Sequence, residues 1–409
     1  MGDLRLLLAR RFGPLFGAQF LGAFNDNLLK QAIVTLVTFR LLDQDASQVN
    51  NLAAGLFILP FFLFSPLAGQ FADHFPKPRI AVLVKLAEVA IMLLAGIGFW
   101  LSSVPLLLAA LTLMGIHSAF FGPVKFGVLP ELVATPQLPG ANALIAAGTF
   151  LAILLGNVGG VYLVMHAGAA WEPAAWMLAV AVAGLLCARA IPPLPAAAPD
   201  RALEFHPLRE LRSSLRFVHR NPEALAALTG IAWFWLVGVA YLTQLPVLVR
   251  DVAGAGEQAY VHALLAFSVG IGAGALLCGR LSQGQVRPRL ALAGLLAMCL
   301  FAAELVRLCI VGNPPLPWLL AVLTAIGAGA GLYIVPLYTV LQVRSPVDSR
   351  ARTFAAANLL NALAMVLSSV LAIVVLVVLK LSLAMLFAVL LAGSLGVLLR
   401  LRGLLASPR

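Results

Sequence analysis

Long apolar runs separated by short polar intervals repeat along the whole chain. Each run holds about 20 residues or more, enough for a helix to cross a bilayer core of about 30 Å. Twelve such runs stand at 12–42, 50–72, 80–101, 104–127, 141–165, 172–190, 223–249, 257–279, 290–311, 316–341, 354–379 and 381–400. They predict an all-α polytopic membrane protein with twelve transmembrane helices. What remains makes short loops and one longer linker, 191–222, with no room for a soluble catalytic domain. The chain is therefore not expected to be an enzyme.

The first run differs from the others. In "AQFLGAFNDNLLKQAIVTLVTF" (18–39), Asn25, Asp26, Asn27 and Lys30 interrupt the apolar stretch near its middle. An aspartate or lysine at the centre of a membrane helix costs roughly 2.5–3.5 kcal/mol on insertion scales. Polar residues kept at that cost are candidates for function.

Composition supports the membrane class: 62% of the 409 residues are hydrophobic and 11% charged, with a mean hydropathy of +1.01. A soluble domain carries about 25% charged residues. The formal net charge of +11 could suggest nucleic-acid binding, but its placement argues otherwise. With loops assigned alternately to two sides, one side collects 20 of the 27 basic residues, among them Arg10, Arg11, Lys77, Arg79, Arg209, Arg287, Arg350 and Arg402. By the positive-inside rule that side is cytoplasmic and both termini lie there. Arg10 and Arg11 precede a hydrophobic run too long for a signal peptide, so the first span is expected to stay uncleaved. Cys187, Cys278, Cys299 and Cys309 all fall inside spans and read as small packing groups, with no metal or disulfide spacing.

The two halves echo each other. "GQFADHFPKPR" (69–79) aligns with "GRLSQGQVRPR" (279–289), Pro123 with Pro336, and Ala141-Asn142 with Ala357-Asn358. A parallel six-plus-six repeat is the organisation of major facilitator transporters. It divides the chain into bundles at 1–190 and 223–409, joined by the cytoplasmic linker 191–222. Within the linker, 204–220 has helical spacing of leucines opposite arginines and is expected to lie on the inner leaflet or to serve as a plain tether.

The loop after the second span resembles a superfamily signature of glycine, aspartate and a basic cluster, here Gly69, Asp73, Lys77 and Arg79. Gly69 would permit close helix approach, Asp73 would accept bonds from a neighbouring helix end, and Lys77 and Arg79 would hold the loop in the cytoplasm. The resemblance implies a conformational latch, weaker in the second half where Gln283 replaces the aspartate.

Charges inside the spans are few. Asp26 and Lys30 are spaced to pair along one helix face, and the crowding of Asn25 and Asn27 on the same turn suits a wet cavity better than a single lock. Lys85 and Glu88, and likewise Glu304 and Arg307, read as structural pairs ahead of substrate contacts. Lys125 has no acid three or four residues away. It sits where Gly122, Pro123, Gly127 and Pro130 are expected to break the fourth span. His117 reads as a packing histidine with a proton carrier as the other option. Asn142, Asn157, Asn358 and Asn361 are expected to bond between helices.

"AQFLGAFNDNLLKQA" and "FFGPVKFGVLPEL" resemble first-span and fourth-span motifs of the bacterial lysophospholipid transporter family, especially transporter portions fused elsewhere to an acyltransferase. The resemblance implies flipping of lysophospholipids, chiefly lysophosphatidylethanolamine, across the inner membrane for re-acylation. It also implies coupling to Na+ or H+ with Asp26 in the coupling role. No other cofactor and no bound metal is expected. Lys30 and Lys125 would anchor the phosphate as point charges. The expected partners are the lysophospholipid, membrane lipids and a functionally linked acyltransferase, with the transporter itself a monomer. Two rivals remain: a proton-coupled small-molecule exporter, disfavoured because Asn157 in "GNVGG" stands where such antiporters carry proline, and a non-transporting partner of an acyltransferase.

Overall fold

The computed structural model describes residues 3–41, 46–201, 203–204 and 221–405. Among them the apolar runs become twelve α-helices. These are α1 (Gly13–Phe39), α2 (Ala46–His74), α3 (Lys77–Trp100), α4 (Val104–Leu132), α5 (Leu138–His166) and α6 (Glu172–Arg189). The second half contributes α7 (Pro222–Val247), α8 (Glu257–Ser282), α9 (Arg289–Val311), α10 (Leu316–Arg344), α11 (Arg350–Ala372) and α12 (Leu383–Leu405). Eleven are long and apolar enough to cross a membrane by length and composition. The twelfth, α1, has the length, 27 residues or about 40 Å at the helical rise. Its polar middle lowers its hydropathy.

The helices fall into two compact units. Unit 1 comprises 1–134, 151–216 and 345–359; unit 2 comprises 135–150, 217–344 and 360–409. The first turns of α5 thus group with the second half of the sequence, and the first turns of α11 with the first half. Local contacts explain both. Asn142 on α5 donates to Gln342 Oε1 at 2.6 Å and Thr339 Oγ1 at 3.1 Å, both on α10. On α11, Phe354 stacks on Phe126 of α4 with ring centroids 5.1 Å apart.

Unit 1 is built round an apolar core from α1 (Leu28, Leu29, Ile33), α3 (Ile91, Met92, Phe99), α4 (Leu107, Leu111, Met114) and α6 (Met177, Ala181). Two helices come closer than side chains would allow. A Cβ at Gly156 on α5 would stand 2.5 Å from Phe24 O, and one at Gly160 2.8 Å from Leu28 O. The "GNVGG" segment is therefore a seat for α1.

In unit 2 the same device joins α8 to α10. A Cβ at Gly270, Gly274, Gly327 or Gly331 would collide with a backbone carbonyl oxygen of the facing helix. Small residues spaced by four are how membrane helices gain contact when lipid is as apolar as leucine.

The fourth helix corrects an expectation. It runs unbroken from Val104 to Leu132 with Pro123 and Pro130 inside it. A proline removes a single N–H donor, and in a bilayer every other backbone group gains most by staying in the helix. Gly122 and Gly127 are used for contact instead. The first faces the Asn358 side chain, and a Cβ at the second would stand 3.4 Å from Ala351 Cβ.

The start of the linker lies along the end of α2. Gln70 accepts from Glu204 N at 2.6 Å and donates to Glu204 O at 2.7 Å, and Ala198 N donates to Asp73 O at 2.8 Å. The amphipathic stretch 204–220 lies outside the described residues beyond Glu204.

Candidate functional site

Unit 1 gathers the intramembrane charges on α1, α3 and α4. The polar residues of α1 do not act as one patch; helical spacing turns them to two sides.

On one side is a dry network. Asn25 Nδ2 donates to Glu88 Oε1 at 2.8 Å and to Met177 O at 3.2 Å. Lys85 Nζ donates to Glu88 Oε2 at 2.6 Å, with side chains 0% and 1% exposed. His117 Nε2 lies 3.2 Å from the same carboxylate oxygen, and Lys85 Nζ stands 4.8 Å from the centroid of the Phe121 ring. Gly22 on α1 makes room for the lysine, since a Cβ there would strike its ammonium group. Lys85 and Glu88 thus form the structural pair their spacing predicts, and Asn25 belongs with them.

On the other side the groups are half-buried: Asp26, Asn27, Lys30 and Lys125 each keep part of their surface accessible. Here Asp26 and Lys30, spaced to pair along one helix face, do not form an ion pair among the described residues. Ser118 Oγ donates to Asp26 Oδ2 at 2.7 Å, Asp26 Oδ1 has no hydrogen-bond partner, and Lys30 Nζ reaches Asn27 Oδ1 at 3.4 Å. Asn27 in turn donates to Ala23 O of its own helix at 2.8 Å. No ion pair of the described residues joins Asp26 to Lys30 or Lys125, although its charge acts on both. The Lys125 ammonium lies 4.9 Å from the centroid of the Phe126 ring, a cation–π contact.

The charge balance follows. Lys85 is matched by Glu88 at close range, while Lys30 and Lys125 share only Asp26. The accessible side carries one positive charge more than its protein partners neutralise. Such a surplus attracts an anion, and lysines supply it as compact point charges.

The loop after α2 takes a different form from a simple topology signal. Asp73 Oδ1 accepts from Ala351 N at 3.1 Å and Oδ2 from Arg352 N at 3.2 Å, so the side chain caps the first turn of α11. Capping carboxylates offset the orphan N–H groups of a helix start. Gly69 lets this happen, because a Cβ there would stand 2.6 Å from Ala355 Cβ. Lys77, expected to hold the loop in water, is fully buried and bonded to Glu131 at 2.8 Å. Arg79 is exposed. In the second half Gln283 accepts from Arg287 within its own loop at 3.0 Å.

Sequence reasoning missed Ser118 and Glu131. Each is a lone polar residue in or beside an apolar run, and only the packing of α4 on α1 and α3 shows its partner. Glu304 and Arg307 on α9 do pair, at 2.6 and 2.7 Å, with Trp318 also donating to Glu304. Unit 2 also holds a small apolar pocket lined by Phe150, Phe234, Trp235, Gly238, Phe267 and other apolar side chains. Among the described residues, no charged side chain lines it.

Comparison with known proteins agrees with this architecture. The family model described as Major Facilitator Superfamily matches residues 15–369. The lysophospholipid transporter LplT of Klebsiella pneumoniae is 33% identical over 359 residues, covering 86% of this chain and 85% of that protein. Its namesake in Cronobacter sakazakii is 31% identical over 349 residues, covering 83% and 81%. Among solved structures, the human organic anion transporter MFSD10 (TETRAN) aligns with a TM-score of 0.76 at 18% identity over 96% of this chain and 99% of that one. A bacterial homologue of the iron transporter ferroportin gives 0.73 at 15% identity over 96% and 100%. With twelve helices, a matching superfamily model and relatives named as transporters over most of its length, the chain is a multi-pass membrane protein that belongs to the major facilitator superfamily, within its lysophospholipid transporter family.

Proposed function

We propose that the protein moves lysophospholipids, lysophosphatidylethanolamine foremost, to the cytoplasmic leaflet of a bacterial inner membrane by alternating access coupled to a cation. A lysophospholipid has an anionic phosphate, a small headgroup and one acyl chain. Its head needs a polar, cationic resting place partway across, because an isolated charge in hydrocarbon is prohibitive. The observation that carries the reading is the unmatched positive charge on the half-buried side of unit 1, where Lys30 and Lys125 have only Asp26 between them. The names of the relatives point to the same substrate class. The apolar pocket of unit 2 would offer a contact to part of the hydrocarbon chain.

In this reading Lys125 and Lys30 hold the phosphate and Asp26 takes the amine or the coupling cation. Both termini face the cytoplasm, where a linked acyltransferase would use the delivered lipid. Asp73 and its helix cap would serve as a latch, broken and remade in each cycle.

The test is uptake of labelled lysophosphatidylethanolamine into spheroplasts. Asp26→Asn and Lys125→Ala are each expected to abolish uptake while the protein stays in the membrane. Full activity in both variants would remove the site.

A further inference from the structure

The face of α11 that packs within unit 1 ends in a polar group that packing does not use. The helix belongs to this unit as far as residue 359. Ala351 lies against Gly127 and Ala355 against Gly69, and Asn358 takes the next place on the same face, by spacings of four and three residues. There it meets Gly122 of α4, where a Cβ would strike the Asn358 amide nitrogen. The bond between helices expected of this asparagine is not made through that nitrogen, which is buried without a hydrogen-bond partner. An unpaired buried donor costs free energy, and a third alanine would continue the row without that cost. Packing therefore does not account for the amide.

Its neighbours on α4 do. Ser118, Gly122 and Lys125 are spaced by four and three residues, so one face of that helix presents them in a line. At one end Ser118 donates to Asp26 Oδ2 at 2.7 Å and leaves Oδ1 buried and unpaired. At the other end Lys125 keeps part of its surface accessible. Asn358 lies across the middle, against Gly122. The line thus carries two unmet groups of opposite sense, an acceptor on α1 and a donor on α11.

An amine-bearing lysophospholipid head offers the converse pair. Its phosphate oxygens accept and its ammonium group donates. Lysine alone selects a phosphate loosely, because a compact point charge on a flexible stem fixes no direction. An amide N–H beside it does fix one, since a hydrogen bond weakens steeply away from a straight approach.

We propose that Asn358 is a headgroup-binding residue whose amide N–H donates to the phosphate held by Lys125. Without ligand, Gly122 gives the NH2 group room against bare backbone. The Asn358 side chain keeps part of its surface accessible, and the terminal torsion of an asparagine is soft. A turn about that torsion brings the donor from Gly122 to a phosphate oxygen. The inference rests on the lysophospholipid reading and deepens it by naming the group that tells a phosphate head from an uncharged one.

The test uses the full-length protein in detergent and two probes with the same acyl chain, lysophosphatidylethanolamine and monoacylglycerol. Binding is read by intrinsic tryptophan fluorescence, and thermal melts of the lipid-free protein run beside it. The unaltered protein is expected to prefer the phosphate-bearing lipid. Asn358→Ala should reduce that preference about tenfold, the weight of one hydrogen bond to a charged group. It should melt no lower than the unaltered protein, because it removes an unpaired donor. Asn358→Ser, which still donates, should keep more of the preference than Asn358→Ala. An undiminished preference in Asn358→Ala overturns the inference and leaves the substrate reading standing. A melt of Asn358→Ala well below that of the unaltered protein makes the amide a packing group and overturns it as well. Absence of any preference in the unaltered protein overturns both readings. Inorganic phosphate should not displace the bound lipid; displacement as strong as that by a second lysophospholipid overturns the lipid headgroup as the source of the phosphate.

Discussion

Removing one charge from the dry network should harm the protein more than removing two. Glu88 accepts from Lys85 at 2.6 Å and from Asn25 at 2.8 Å, with both charged side chains out of reach of solvent. At that separation the attraction is about 6 kcal/mol in an effective dielectric of about 20, and desolvation cancels much of it. Breaking such a pair costs about 3–5 kcal/mol because the surviving charge stays buried alone, whereas replacing both partners by uncharged groups is often neutral. Glu88→Gln keeps the shape, yet turns one acceptor into a donor facing an ammonium group. Lys85→Met keeps the volume and strands a carboxylate. Each single variant should unfold well below the unaltered protein in a detergent thermal melt, and Lys85→Met with Glu88→Gln should recover most of the loss. Single variants that melt normally, or a double variant as unstable as the worse single, would refute the account of Lys85 and Glu88 as a closed pair.

Asp73→Ala removes the cap on α11, worth about 0.5–2 kcal/mol by comparison with other caps; a lowered melting temperature checks it, and Asp73→Asn should lose less. Gly238 lines the apolar cavity of unit 2 and has nothing within 4 Å of where a Cβ would go. Gly238→Leu should therefore leave the fold intact and reduce uptake of long-chain lysophospholipids more than short-chain ones, read by competition between two chain lengths.

Hydrophobic length made the helices legible. The run at 172–190 became Glu172–Arg189, and that at 223–249 became Pro222–Val247 with a short π-helical turn after it. Helix ends extend past several runs, as where α2 continues to His74, because a helix ends at its last backbone bond and hydropathy at the last apolar residue. The pair Lys85–Glu88 could be read from its spacing, since three residues place both groups on one face of one helix. Asp26 could not be paired that way. Its hydroxyl partner, Ser118, is 92 residues distant, and nothing periodic in the chain announces a contact between helices. The same limit hid the exchange of 135–150 and 345–359 between the two units, which depends on what Asn142 and Phe354 meet in space.

Gly156 and Gly160 bring the backbone of α5 against Phe24 and Leu28, immediately beside Asp26 and one turn from Lys30. At these points the two backbones pack with no side chain between them, and a side chain added at either glycine would force them apart. The edge of α1 that bears Asp26 and Lys30 is thus seated on a glycine-lined face of α5. A larger side chain at Gly156 or Gly160 would therefore displace the edge of α1 that bears Asp26 and Lys30, and with it the proposed headgroup site.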